Sequence, residues 1–307
     1  MSRPPTPFLP EQPEAEASEA TRAIYAQIRR LSGVPMVALI FRHLATLPGG
    51  MDWAWAVIGP PLAQGQLQER AWAMAEALDL APERPVRAEA LHELGIDEAA
   101  LREMARLSLA YARANPVNLL ALRLIALRLR GEDALSPSPA RLTESSGLAD
   151  SSGPPSTSSP LAPGSATSVW QPPAPVGPLL PMIDLHSAPP ELMALLQGLS
   201  QRGQVPEQAF VPSYYRQLAS RPPLLTLASR LVPPAFGRID AAAARLREQA
   251  SAHAAELAAI GPAHPPCPEG LRQPMLAAVD VFTERIPEMI AVVALLRKAL
   301  NLQDLED

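Results

Sequence analysis

The sequence predicts an all-α protein, a pseudo-dimer of two homologous helical repeats. Three observations carry that expectation. Nearly half of the 307 residues are apolar but only 4% are aromatic, so Leu, Ala, Val and Ile must build the core. Ala and Leu in quantity favour helix over strand. Apolar residues also recur at helical spacing on both sides of a central Pro/Ser-rich stretch, and segments of the first half find counterparts in the second.

Residues 1–17, rich in Pro and Glu, are expected to be a disordered N-terminus. The first repeat is expected over 18–132. Ala23, Ile24, Ile28 and Leu31 share one helical face, and Gly33 with Pro35 ends that helix. A second helix carries Val37, Ile40, Phe41 and Leu44, and Pro48-Gly49-Gly50 breaks it. A third is expected from Met51 to about Ile58, ahead of Gly59-Pro60-Pro61. Three more follow over Gln68–Leu78, Val86–Leu94 and Asp97–Ala114, the last with Asp97 as N-cap. A residue before proline is pushed away from the α region, so Asn115-Pro116 should close that helix and open the next.

Residues 133–177 form a low-complexity segment expected to be a disordered linker. The second repeat is expected over 178–307. Phe41-Arg-His-Leu-Ala-Thr-Leu-Pro lines up with Tyr215-Arg-Gln-Leu-Ala-Ser-Arg-Pro, and Asn115-Pro116 with Ile286-Pro287. A period of about 170 residues is too long for a solenoid and fits a duplicated domain. The crevice between such halves is a natural pocket.

The net charge of −5 gives no basic nucleic-acid stripe. Lys298 is the only lysine. A lone cysteine, Cys267, allows no intrachain disulfide and no C-x-x-C motif, which fits a reducing cytoplasm. No signal peptide and no membrane span are expected. His43, His92, His186, His253 and His264 form no H-x-x-x-H pattern, so no metal is expected, and there is no phosphate loop or G-x-S-x-G elbow.

Several segments then resemble the group I 2-haloacid dehalogenases: Ile24-Tyr-Ala-Gln-Ile-Arg-Arg, Val34-Pro35, Leu44-Ala45-Thr46-Leu47-Pro48-Gly49, Ala54-Trp55, Asn115-Pro116 and Pro178-Leu-Leu-Pro-Met-Ile-Asp184. The resemblance spans residues 20 to 300 in order. It implies a cofactor-free hydrolase acting on the carbon–halogen bond of short 2-haloalkanoic acids. An aspartate activates water for direct attack at the α-carbon, and an asparagine helps hold that water. A buried carboxylate in hydrogen-bond reach of one trapped water suits that task.

Carried over residue by residue, Asn115 matches the family's asparagine; by itself it also reads as a helix N-cap. The family's aspartate follows a serine. Here Ser213 matches and Tyr214 stands at the aspartate's position. A phenol with an ordinary pKa of about 10 is a poor base near neutrality. Met36 and Leu39 fall where the family places aromatic lining residues. The resemblance thus implies Asn115 and Tyr214 as the catalytic positions and Met36, Leu39, Asn118 and Ser213 as substrate-binding ones. Asp184 is expected to cap the helix near Pro189, and Asp52 and Glu69 read as solvated charges. Two functions stay open: a dehalogenase-like enzyme, and a non-catalytic relative binding a small organic acid or apolar ligand between the repeats. The expected partner is a small-molecule 2-haloacid or other small organic acid, with no nucleic acid and no membrane; a homodimer is allowed.

Overall fold

The computed structural model describes residues 10–82, 85–131, 170–200, 211–262 and 264–306. Among them the regular elements are α-helices and 3-10 turns, with no strand. The chain is all-α, as the composition requires. Of the linker expected over 133–177, residues 133–169 lie outside the described residues, as do residues 1–9 of the N-terminus expected to be disordered over 1–17.

Helix α1 (Glu19–Ser32) starts at Ser18, whose side chain accepts from the Thr21 N–H, and stops at Gly33, which takes the left-handed φ of 63°. The short α2 (Leu39–Leu44) buries Ile40, Phe41 and Leu44. Helix α3 (Gly50–Ala63) does not end near Ile58 but runs through Gly59, Pro60 and Pro61. Its inward face, including Val57, Ile58, Pro61 and Leu62, is buried, and that packing outweighs the missing proline N–H groups. Then come α4 (Gln66–Glu76), α5 (Ala88–Glu93) and α6 (Glu98–Arg130).

Helix α6 corrects the expected break at Asn115-Pro116. It is one unbroken helix of 33 residues with Pro116 buried inside it, and Asn115 is no N-cap. Its N-cap is Asp97, which accepts from the Ala100 N–H at 2.8 Å, as expected. The second half repeats the lesson. After α7 (Pro190–Ser200), α8 (Ser213–Leu218), α9 (Pro222–Leu231) and α10 (Phe236–Ile260), helix α11 (Arg272–Ala299) carries Pro287 in its interior. An interior proline costs a helix about 3 kcal/mol locally. Here both prolines are buried in the two helices that pack most extensively on each other, α6 and α11. Tertiary packing, not local preference, decides the path.

Helix α6 is the hub. It packs on α11, α10, α4 and α3, and α10 packs on α11 in turn. One continuous apolar cluster runs from Ala17 to Leu302 through both halves. Helix α2 of the first half leans on α11, and α8 of the second leans on α6.

Two stretches expected to lie outside the globule pack on it. In the N-terminal stretch, Arg42 pairs with Glu11 at 2.9 Å, the Gln12 N–H donates to the Arg42 carbonyl, and Nδ1 of buried His43 lies 2.7 Å from the Pro10 carbonyl oxygen. At the end of the Pro-rich segment, the Trp170 indole packs against Gly65, where a Cβ would come within 2.3 Å of it. The Val176 N–H donates to the Gly33 carbonyl, and Arg113 Nη1 donates to the Ala174 carbonyl at 2.7 Å. Each stretch offers an acceptor to an arginine of the helical body and donates one backbone N–H to a carbonyl of that body. Asp184 does not cap α7: its Oδ1 accepts from the His186 N–H at 3.0 Å, closing a local turn.

Candidate functional site

Where α8 meets α6, four hydroxyl- or amide-bearing side chains form a buried network. Tyr214 is fully enclosed, and its phenol lies 2.9 Å from the Ser108 hydroxyl. Beside it the Tyr111 phenol donates to Gln217 Oε1 at 2.6 Å, and Gln217 Nε2 donates to the Leu180 carbonyl at 2.7 Å. The rings of Tyr111 and Tyr214 meet edge to face with centroids 5.1 Å apart. Ser213, half-buried at the start of α8, lies near enough to Tyr111 to favour its ionised form slightly.

Helix geometry explains why these groups meet. Ser108, Tyr111, Asn115 and Asn118 follow a spacing of three, four and three, which puts all four on one face of α6. Above and below them that face is apolar, with Met104 and Leu122 buried. The four residues are a polar seam in an apolar helix. Tyr214 and Gln217, three apart on α8, dock on its first half.

Burial holds both phenols neutral. Tyr214 is pushed well above its ordinary range chiefly by burial, with Ser108 only partly opposing it. Tyr111 is pushed up likewise, against Ser213 and the positive charges of Arg42 and Arg216. Neither phenol is a base near neutrality.

No Asp or Glu is fully buried among the described residues, and the partly buried Glu306 pairs with Arg297 rather than with any member of this network. The buried polar side chains are Ser32, His43, Gln68, Ser108, Asn118, Ser200, Gln217 and Thr283. Asp52 and Glu69 are exposed in the first turns of α3 and α4. Nor does any group of three or more His, Cys, Asp or Glu stand where it could hold a metal, among the same residues.

The six residues singled out from sequence are only partly brought together. Ser213 and Tyr214 join the network. Asn115 and Asn118 continue its seam on α6, but the Tyr214 phenol bonds Ser108, which lies about 10 Å along the helix from Asn115 at 1.5 Å per residue. The side chains of Asn115 and Asn118 make no hydrogen bond among the described residues; Asn115 is half-buried and Asn118 buried. Met36 packs on the small cluster of Val34, Ala110, Ala114 and Val176, and Leu39 packs on the main core. Ser108, Tyr111 and Gln217 were not singled out from sequence. The signal for the first two was present, as polar residues at heptad spacing inside an apolar helix.

Two surface cavities, of about 430 and 470 Å³, lie elsewhere, and neither is lined by any of those six residues.

The architecture now has known counterparts. The fold is shared with D-2-haloacid dehalogenases. A D-2-haloacid dehalogenase mutant in complex with D-2-CPA superposes with a TM-score of 0.62 at 17% identity, covering 93% of this chain and 94% of that one. A second dehalogenase mutant gives a TM-score of 0.64 at 17% identity over 97% and 99% of the two chains. A complex with L-LA gives 0.58 at 17% identity over 98% and 97%. By sequence, no family model and no curated protein matches the chain. No helix among the described residues is long and apolar enough to cross a membrane.

Proposed function

We propose that this chain is a relative of the group I 2-haloacid dehalogenases that binds a small organic acid, 2-haloacids included, and does not hydrolyse it. The observation that carries the reading is the Tyr214–Ser108 hydrogen bond. At the position where the resemblance calls for an aspartate there is a neutral, enclosed phenol already joined to a partner at 2.9 Å. A group held in its protonated form cannot accept the proton that water must lose as it attacks carbon.

The binding half of the proposal rests on Asn115 and Asn118. Their amides have no hydrogen-bond partner among the described residues and sit on the same seam, so they can hold a carboxylate or a water through N–H donors. The two halves are proposed to be duplicated repeats. In support, α2 leans on α11 as α8 leans on α6. Under the sequence alignment of the halves, Tyr214 pairs with Ile40, Ser108 with Val279, Tyr111 with Phe282, Asn115 with Ile286 and Asn118 with Met289. All five polar members fall on one junction and all five apolar members on the other. That asymmetry supports one binding site per chain.

The test is halide release from D- and L-2-chloropropionate by the purified protein. The expected result is no release above blank. Tyr214→Asp should bring release above blank, because it returns a carboxylate to the same backbone position. Release by the native chain that Asn115→Ala abolishes would overturn the reading.

A further inference from the structure

On the side of α6 away from the polar seam, a groove of about 470 Å³ runs between α4, α6 and α11. Its volume falls in the range of small-molecule sites. Trp72, Leu109, Ile290 and Val293 give it an apolar wall, with Ile290 and Val293 themselves buried. The indole is fixed in place: Trp72 Nε1 donates to the Arg113 carbonyl at 3.0 Å. Arg113, Arg297 and Lys298 also line the groove, with one exposed carboxylate, Glu76, so its charged lining is net positive.

A second carboxylate is already paired with these cations. Beyond the 3-10 turn Leu302–Leu305, Glu306 folds back so that its Oε1 lies 2.6 Å from Arg297 Nη2, with both side chains about four-fifths buried. Arg113 is near enough to stabilise the same charge. Arg113 Nη1 is engaged by the Ala174 and Gly33 carbonyls, and its other nitrogens have no acceptor among the described residues. Lys298 Nζ donates to the Leu78 carbonyl at 2.8 Å and stands 3.8 Å from Asp79. The groove thus has an oily wall, a guanidinium pair at its mouth, and an internal carboxylate showing what that pair accepts.

We propose that this groove binds an aliphatic monocarboxylic acid, its carboxylate taking the place of Glu306 against Arg297 and Arg113 and its hydrocarbon chain lying along Trp72, Leu109, Ile290 and Val293. No residue of the Tyr214 network lines this groove, although the charge of Arg297 is near enough to act on the Tyr214 phenol, and the proposal does not depend on the function proposed there. Glu306 is a tethered competitor, so its removal strengthens binding of an added acid. Arginine suits the role because its planar fork pairs with a carboxylate through two donors.

The probe is decanoate, titrated calorimetrically into the full-length protein, with acetate as the head group alone and decyltrimethylammonium as the tail with the opposite charge. One decanoate per chain is expected, with neither control binding. Glu306→Gln should tighten decanoate binding and Arg297→Gln should weaken it, each by about tenfold, the scale of one charge-assisted contact. Val293→Trp should fill the groove and abolish binding. Thermal melts verify that each variant is folded; if Val293→Trp is not, the two rim variants decide the question. Equal binding of decanoate and decyltrimethylammonium, indifference to both rim substitutions, or no saturable decanoate heat overturns the proposal.

Discussion

At the scale of single residues, the Tyr214–Ser108 pair shows how a buried hydroxyl fixes its own chemistry. Removing one partner leaves the other enclosed and unpaired, which costs about 1 kcal/mol or more. Tyr214→Phe should therefore lower stability by that order in urea unfolding. Ser108→Ala in the same chain should recover part of the loss, since the orphaned hydroxyl is then gone. The phenols also predict an alkaline limit. Tyr111 and Tyr214 both lose their protons later in the fold than in the unfolded chain. Their contribution is complete below the unfolded value of about 10 and is lost as pH rises past it. Absorbance at 295 nm should show both tyrosines silent while the protein stays folded and ionising as it unfolds. Early ionisation of either would contradict their burial.

At the scale of elements, much was legible and the failures share a cause. Gly33, Asp97 and the apolar faces of α1 and α4 mark their helices by local rules. Pro60, Pro61, Pro116 and Pro287 mislead for the same reason: each sits in a helix whose inner face is buried against neighbours. A local breaking signal worth a few kcal/mol yields to packing summed over several turns. The candidate site was legible only in part. Tyr214 and Ser213 could be placed by register, but the partner of the Tyr214 phenol comes from α6, 106 residues away. The 3-10 turn that brings in Glu306 adds a pH dependence of unusual sign. Burial raises this carboxyl above its ordinary range more than Arg297 and Arg113 lower it. The fold then binds that proton better than the unfolded chain does. Its contribution to stability is present below the ordinary value of 4.5 and is lost as pH rises through the folded one. Relative to native protein, Glu306→Gln should flatten the melting temperature across that window. An unchanged slope would show that Glu306 is solvated.

At the scale of the whole molecule, the apolar cluster is shared and not divided. Helix α6 of the first half has its most extensive contact with α11 of the second and packs on α10 as well. Either half alone would expose that surface to water, at about 25 cal/mol per Å² of apolar area. Residues 1–131 and 170–307 expressed as separate chains should therefore each aggregate alone and co-purify as one complex on size exclusion when made together. Two independently soluble, monomeric halves would show that the joint core is dispensable.

The seat of Trp170 on Gly65 makes one glycine decide where the chain rejoins the helical body. Gly131 closes α6 before that return, and the clamped indole opens it. A single methyl group added at Gly65 would unseat the anchor.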